Sequence, residues 1–299
     1  MDLSTRLGGL TLRSPLVAAS GTVGSVVEIA EVADLSAYGA AVAKSVSLEP
    51  WAGKPPPRLA PAGDGMLNGI GIQNPGIDRW VQEVAPHLAD LEVPVWGSAV
   101  GHVPDEFARV AAELEAAGVA AVEINLSCPN LDGHLIALDP NDSAQAVAAV
   151  RSVVRIPIGA KLSPNVSDPV PVAAACAEAG ADWVVLTNTI WGAAIDIHQR
   201  RPKLSATIGG YSGPPLKPIA LRCVVEVHRA LPELPIIGCG GVVRGSDVVE
   251  YLMAGAAAVA LGTVHFADPR AGRRILDELA TWCRRAGIDP FQLIGAAVR

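Results

Sequence analysis

EAAGVAAVEI (115–124) decides how this chain is read. It opens on helix-forming Glu-Ala-Ala, meets a glycine of the kind that ends helices, and runs on as an apolar strand broken only by Glu123. The same device returns as AEAGADWVVL (177–186) and LMAGAAAVAL (252–261). Continuous apolar strands alternating with helices mean a parallel sheet covered on both faces. Working outward, similar runs are LVAAS (16–20), AAVAK (40–44), VPVWGS (93–98), IPIGAKL (156–162) and LPIIGCGG (234–241). With strands at 120–126, 182–188 and 257–263 they make eight. Helix-like stretches at 104–117, 141–153, 168–179 and 268–286 lie between them, several with Pro or Asp at the start and Gly past the end. Eight such units in 299 residues predict an α/β fold, a (β/α)8 TIM barrel, better than an open doubly wound sheet. No Pro/Gly/Ser-rich linker divides the chain, so residues 1–299 read as one domain.

Composition excludes several functions. A net charge of −7 without a long basic run argues against a nucleic-acid surface. The longest apolar runs are strand-sized, short of the roughly 18 to 20 residues that span a bilayer, and no signal peptide is visible. Cys128, Cys176, Cys223, Cys239 and Cys283 form no CxxC pair, which fits free thiols in a reducing cytoplasm. The six histidines are isolated from one another, so no metal site is expected.

A barrel of this kind carries its active site at the C-terminal ends of its strands. Those ends read Ser20-Gly21, Lys44-Ser45, Ser98, Asn125-Leu126-Ser127, Lys161, Asn188-Thr189, Gly240-Gly241 and Gly262-Thr263. Two lysines facing amides from other strands exceed what a structural barrel needs. Glycines after the seventh and eighth strands, just before helices, suit a phosphate held by backbone N–H groups; tight turns without a ligand are the alternative. The GxGxxG spacing is absent, so a mononucleotide fits better than NAD. MLNGIGIQNPG (66–76), inserted after the second strand, reads equally as a backbone wrap for a small carboxylate or as a hairpin turning at Asn68-Gly69. CPNLDGHLIALDPND (128–142) is too long for an ordinary connection and reads as a lid, with Cys128 at its hinge.

These motifs, with EINLSCPN (123–130), AKLSPNV (160–166), LTNT (186–189) and GGYSGPPLKPIALR (209–222), resemble the class 1 dihydroorotate dehydrogenases, most closely the class 1B catalytic subunit. The resemblance runs through nearly the whole chain. It implies oxidation of (S)-dihydroorotate to orotate in pyrimidine biosynthesis by one FMN per chain. It makes Cys128 the base that removes the C5 proton while C6 gives hydride to flavin N5. Asn68, Asn125, Asn130, Asn188 and Thr189 would hold the pyrimidine, with Gly69, Ile70, Gly71 and Ile72 near its carboxylate. Lys44 would lie between substrate and flavin, and Lys161 at the flavin edge that gains negative charge. Ser20, Ser45, Ser98, Asn125, Thr187 and Gly213 would line the flavin, and Gly240, Gly241, Gly262 and Thr263 its phosphate. Cys239 reads as close packing against the cofactor.

The chain departs from the family pattern at three places. Ser98 stands where an asparagine is usual, Trp51 and Lys54 replace the usual residues after LEP, and the lid reads GHLIALDP. Glu123, in mid-strand, fits a paired interior residue. The resemblance further implies a cytoplasmic homodimer joined into a heterotetramer with a second subunit bearing FAD and a 2Fe–2S cluster, which passes electrons to NAD. The competing readings are a fumarate-linked class 1A enzyme, a related FMN barrel acting on another pyrimidine, and a non-enzymatic FMN-binding paralogue.

Overall fold

The computed structural model describes residues 2–126 and 136–298. Eight parallel strands close into a barrel: β1 (Leu16–Ala18), β2 (Ala40–Val42), β3 (Val95–Ala99), β4 (Ala121–Asn125), β5 (Ile158–Lys161), β6 (Trp183–Leu186), β7 (Ile236–Cys239) and β8 (Ala258–Leu261). Each strand pairs with its neighbour in sequence, and β8 returns to β1. Helices spanning Pro104–Ala116, Pro140–Val153, Val170–Glu178, Lys217–Ala230, Gly245–Met253 and Ala271–Ala286 follow strands in turn. Among the described residues no helix is long and apolar enough to cross a membrane.

Alternation along each strand sorts the side chains into two layers. Leu16, Ala41, Val122, Ile124, Ile158, Val184 and Val259 pack outward in the continuous core shared with the helices. Val17, Val42, Trp96, Ala121, Trp183, Val185, Ile237 and Ala258 form the separate inner cluster. The indoles of Trp96 and Trp183 fill the N-terminal half of the barrel, with ring centroids 4.9 Å apart. Gly159 makes room for them: a Cβ there would sit 2.1 Å from Trp183 Nε1. Toward the other end the buried set becomes small or polar, with Ala19, Ser98, Glu123, Asn125, Lys161 and Cys239.

A four-stranded antiparallel sheet stands beside the barrel, ordered Ile190–Gly192, Gly209–Ser212, Gly65–Asn68, Leu59–Ala62. The hairpin anticipated between β2 and β3 exists, but it turns at Gly63-Asp64, where Ala62 pairs with Gly65. Asn68-Gly69 is not a turn. Asn68 ends the second arm instead and pairs with both Leu59 and Gly210.

Candidate active site

The strand ends and the side sheet together enclose a cavity of about 700 Å³. Its wall includes Ser20, Lys44, Ser45, Asn125, Lys161, Thr187, Asn188 and Thr189 from the barrel rim. Asn68, Ile70 and Ile72 come from the insertion after β2, and Gly213, Gly240, Gly241, Gly262 and Thr263 from the loops near β7 and β8. Gly21, Thr22, Met66, Ser212 and Phe266 also line it. Ser98, Gly69 and Gly71 do not reach the wall. Cys128, Asn130 and most of the anticipated lid lie outside the described residues.

Polar side chains on the rim are tied to one another. Asn125 Nδ2 donates to Ser45 Oγ at 3.0 Å, and Ser45 Oγ lies 2.9 Å from Ser98 Oγ. Ser98 is fully buried, because it shares the inner face of β3 with Trp96. It therefore reaches the cavity only through Ser45. Asn68 Nδ2 donates to Gly210 O at 3.1 Å, which pins that amide to the side sheet. Asn165, which the motif reading did not single out, binds the backbone on both sides of Ile190. Its Nδ2 donates to Thr189 O at 3.2 Å, and its Oδ1 accepts from Trp191 N at 2.8 Å.

Lys161 is 5% exposed and Glu123 3%. The Lys161 Nζ to Glu123 Oε1 distance is 3.6 Å, and Ser20 Oγ joins them, accepting from Lys161 at 3.3 Å and donating to Glu123 at 3.1 Å. Burial by itself would lower the Lys161 pKa. The Glu123 carboxylate, and after it Cys239, outweigh burial and hold it above the ordinary lysine value. Burial pushes the Cys239 thiol up, against the pull of Lys161. At the wall, then, stand a fixed cation and a thiol biased toward its neutral form.

Two glycine loops form the opposite side. Gly241 has φ +70°, and a Cβ there would lie 2.8 Å from Lys217 N and 2.9 Å from Gly213 O. Tyr251 OH donates to Gly240 O at 2.7 Å, and Asp247 accepts from the N–H groups of Val243 and Arg244, so the loop is anchored from behind. Gly262 differs. A Cβ there would meet no other part of the protein closer than 3.9 Å, so the space beside it belongs to the cavity. Thr263 follows, its Oγ1 donating to Ser212 Oγ at 2.8 Å. These features suit a close-packed phosphate.

The family departures at Trp51 and Lys54 stand beside the 70–76 segment, joined to it through their backbones. Trp51 and Asn74 exchange backbone hydrogen bonds at 3.1 Å, and the Trp51 ring lies 4.6 Å from that of His102. Lys54 N donates to Ile70 O at 2.9 Å, and a Cβ on Gly71 would approach Lys54 N to 2.7 Å. Here the glycine serves chain-to-chain packing.

A parallel barrel with amides, lysines and glycine loops around one cavity at its rim is the frame of an enzyme. A family profile described as Dihydroorotate dehydrogenase matches residues 2–282, and the chain belongs to that family. Relatives named "Dihydroorotate dehydrogenase B (NAD(+)), catalytic subunit" include one from Geobacter sulfurreducens, 46% identical over 299 residues, covering 99% of this chain and 98% of the relative. Another, from Desulforudis audaxviator, is 44% identical over 297 residues, covering 98% and 96%. The fold is shared with a crystal structure of DHODH in complex with ferulenol from Eimeria tenella (TM-score 0.84, 23% identity, covering 100% of this chain and 89% of that one).

Proposed function

We propose that this chain is the catalytic subunit of a class 1B dihydroorotate dehydrogenase, a single barrel domain that binds one FMN and oxidises (S)-dihydroorotate to orotate in pyrimidine biosynthesis. The observation that carries the proposal is one cavity walled by Lys44, Lys161, Asn68, Asn125, Asn188 and the Gly240-Gly241 and Gly262-Thr263 loops. The full-length identity to catalytic subunits of that name supports it.

The residues present fit FMN. A cavity of about 700 Å³ lies within the range of cofactor sites. Gly262 leaves its side open, as a phosphate at that loop requires. Gly240, Gly241, Gly262 and Thr263 would hold the phosphate, and Ser20, Lys44, Ser45, Asn125, Lys161, Thr187 and Gly213 the ring system. FMN, when bound, supplies the two-electron acceptor.

The chain's own residues do the rest. Dihydroorotate is an amide-rich anion, and the carboxamides of Asn68, Asn125 and Asn188 offer donors and acceptors together. Lys44 supplies a positive charge on the same wall. We assign the base to Cys128 on its place in EINLSCPN: its Sγ takes the C5 proton of the substrate. A thiol has an ordinary pKa of about 8.5, so this role calls for a depressed pKa or alkaline conditions.

Electrons leave through a separate subunit bearing FAD and a 2Fe–2S cluster and pass to NAD. The words "catalytic subunit" in the relatives' names support a partner, and the cysteines of this chain lack the spacing of a cluster motif. A homodimer within a heterotetramer and a cytoplasmic setting belong to the same proposal. Buried free thiols at Cys176, Cys223, Cys239 and Cys283 suit that compartment. The test is to mix the purified chain anaerobically with L-dihydroorotate and follow the oxidised-flavin absorbance. Rapid bleaching is expected. A yellow protein that does not bleach overturns the substrate assignment.

A further inference from the structure

Glu123 is a carboxylate inside the barrel, buried between neutral neighbours on the adjoining strands. Its register neighbours are Ser98 on β3 and Gly159 on β5. It does not line the cavity, yet both groups it contacts do: Ser20 and Lys161. Burying a carboxylate is costly unless it is paired and hydrogen-bonded, and Glu123 is both. The groups facing Lys161 are Glu123 on β4, Ser20 just past β1 and Cys239 on β7, with Lys44 past β2 on the wall of the same cavity. Of these, only Glu123 is a carboxylate.

We propose that Glu123 is a positioning residue for the flavin chemistry, whose carboxylate keeps Lys161 an ammonium and, through Ser20, holds it at the cavity wall whichever redox state of FMN is bound. This rests on the FMN reading above. Without Glu123, the Lys161 ammonium loses the carboxylate paired with it, and burial drives its proton off at a lower pH. Added negative charge on reduced FMN then draws that proton back. Reduction in such a variant takes up one proton more, from solvent, for the same two electrons. In the native protein Lys161 is already protonated and no extra proton enters.

The test is Glu123→Gln, followed by dithionite titration of the FMN-loaded proteins across neutral to alkaline pH. The readout is the ratio of dissociation constants for oxidised and reduced FMN. Relative to native protein, the ratio in Glu123→Gln should fall more steeply with rising pH, by up to about tenfold per pH unit, or about 30 mV for a two-electron couple. Superimposable pH profiles overturn the proposal. Should Glu123→Gln not fold, Glu123→Asp carries the test. Its carboxylate is withdrawn by one methylene, so a profile between the two extremes is expected, and a native profile counts against the proposal. Native protein that takes up no FMN overturns the functional reading itself, a failure distinct from parallel profiles in two flavin-loaded proteins.

Discussion

His265 ties the pH response of this protein to the loop assigned to phosphate. It sits in the short helical turn Val264–Ala267 that follows Gly262-Thr263, and it is 3% exposed. Its Nδ1 lies 2.9 Å from Thr22 Oγ1 and its Nε2 2.8 Å from Tyr38 OH. Thr22 already donates to Ala19 O at 2.9 Å, so the ring donates from Nδ1 to Thr22 and accepts from Tyr38 at Nε2. Both nitrogens are satisfied with the ring neutral, and a second proton would displace the tyrosine hydroxyl hydrogen. Burial pushes the pKa from 6.5 down to about 4, opposed by Asp268. The folded state thus resists a proton that the unfolded chain accepts. Above the unfolded value both states are neutral and the contribution is complete. It declines as pH falls below 6.5, and the loss is complete below about 4. At about 1.4 kcal/mol per pH unit the whole interval amounts to about 3 kcal/mol, of which about 2 kcal/mol is lost between about pH 7 and about pH 5. That is a large share of a typical net stability of roughly 5–15 kcal/mol. The assay is urea unfolding of the native protein and of His265→Gln, which cannot titrate, at both pH values and fixed ionic strength. Carboxylates titrate equally in the two proteins, so the difference between them isolates the ring. The native protein should lose about 2 kcal/mol more than the variant. Parallel losses would refute the reasoning.

Three further outcomes are expected. Cys128→Ala should abolish turnover at neutral pH with flavin retained, and Cys128→Ser should keep a little activity, mainly at high pH; an unchanged rate in the alanine variant removes the base assignment. Asn165→Ala deletes the bonds to Thr189 O and Trp191 N. At about 1 kcal/mol each it should raise KM for dihydroorotate by roughly thirtyfold, with kcat and flavin content little changed; an unaltered KM shows that the 188–191 segment holds its place unaided. Gly159→Ala drives a methyl group into Trp183, fully buried against Trp96. The overpacking should cost about 1–3 kcal/mol and lower Tm by several degrees; a native Tm would mean that the indole pair can shift to accommodate it.

The barrel was legible because its signals are local. Glycine-ended helices followed by apolar strands recur along the chain, and the observed strands all begin inside the anticipated runs. The side sheet was half legible. Ile190–Gly192 and Gly209–Ser212 are three and four residues long, rich in glycine, and paired with each other, and the second pairs with Gly65–Asn68 across a long sequence separation. No periodicity can develop over such lengths. The hairpin was misplaced because Asn-Gly is a strong turn signal taken alone. The ladder from Leu59 to Asn68 instead uses Gly63, whose φ of +57° meets the need for a left-handed residue. Ser98, anticipated at the flavin, stands behind Ser45, a side-chain contact between two strands that no local pattern announces.

Glu123 was within reach of the same alternation rule that found the strands. Positions 121, 123 and 125 share the inner face of β4, and the ladder sets Asn125 against Lys161 and Glu123 against Gly159. Gly159, opposite Glu123, leaves its own space to the Trp183 indole, and the lysine one pleat further on supplies the counter-charge. The two tryptophans belong to the same design. With the N-terminal half of the barrel plugged by indoles, water is displaced from below, and the polar layer above is desolvated on that side. Charges there interact more strongly than they would in water. EINLSCPN therefore encodes depth as well as identity: a buried carboxylate at 123, an amide at the wall at 125, and three residues further along the chain the thiol assigned to proton transfer.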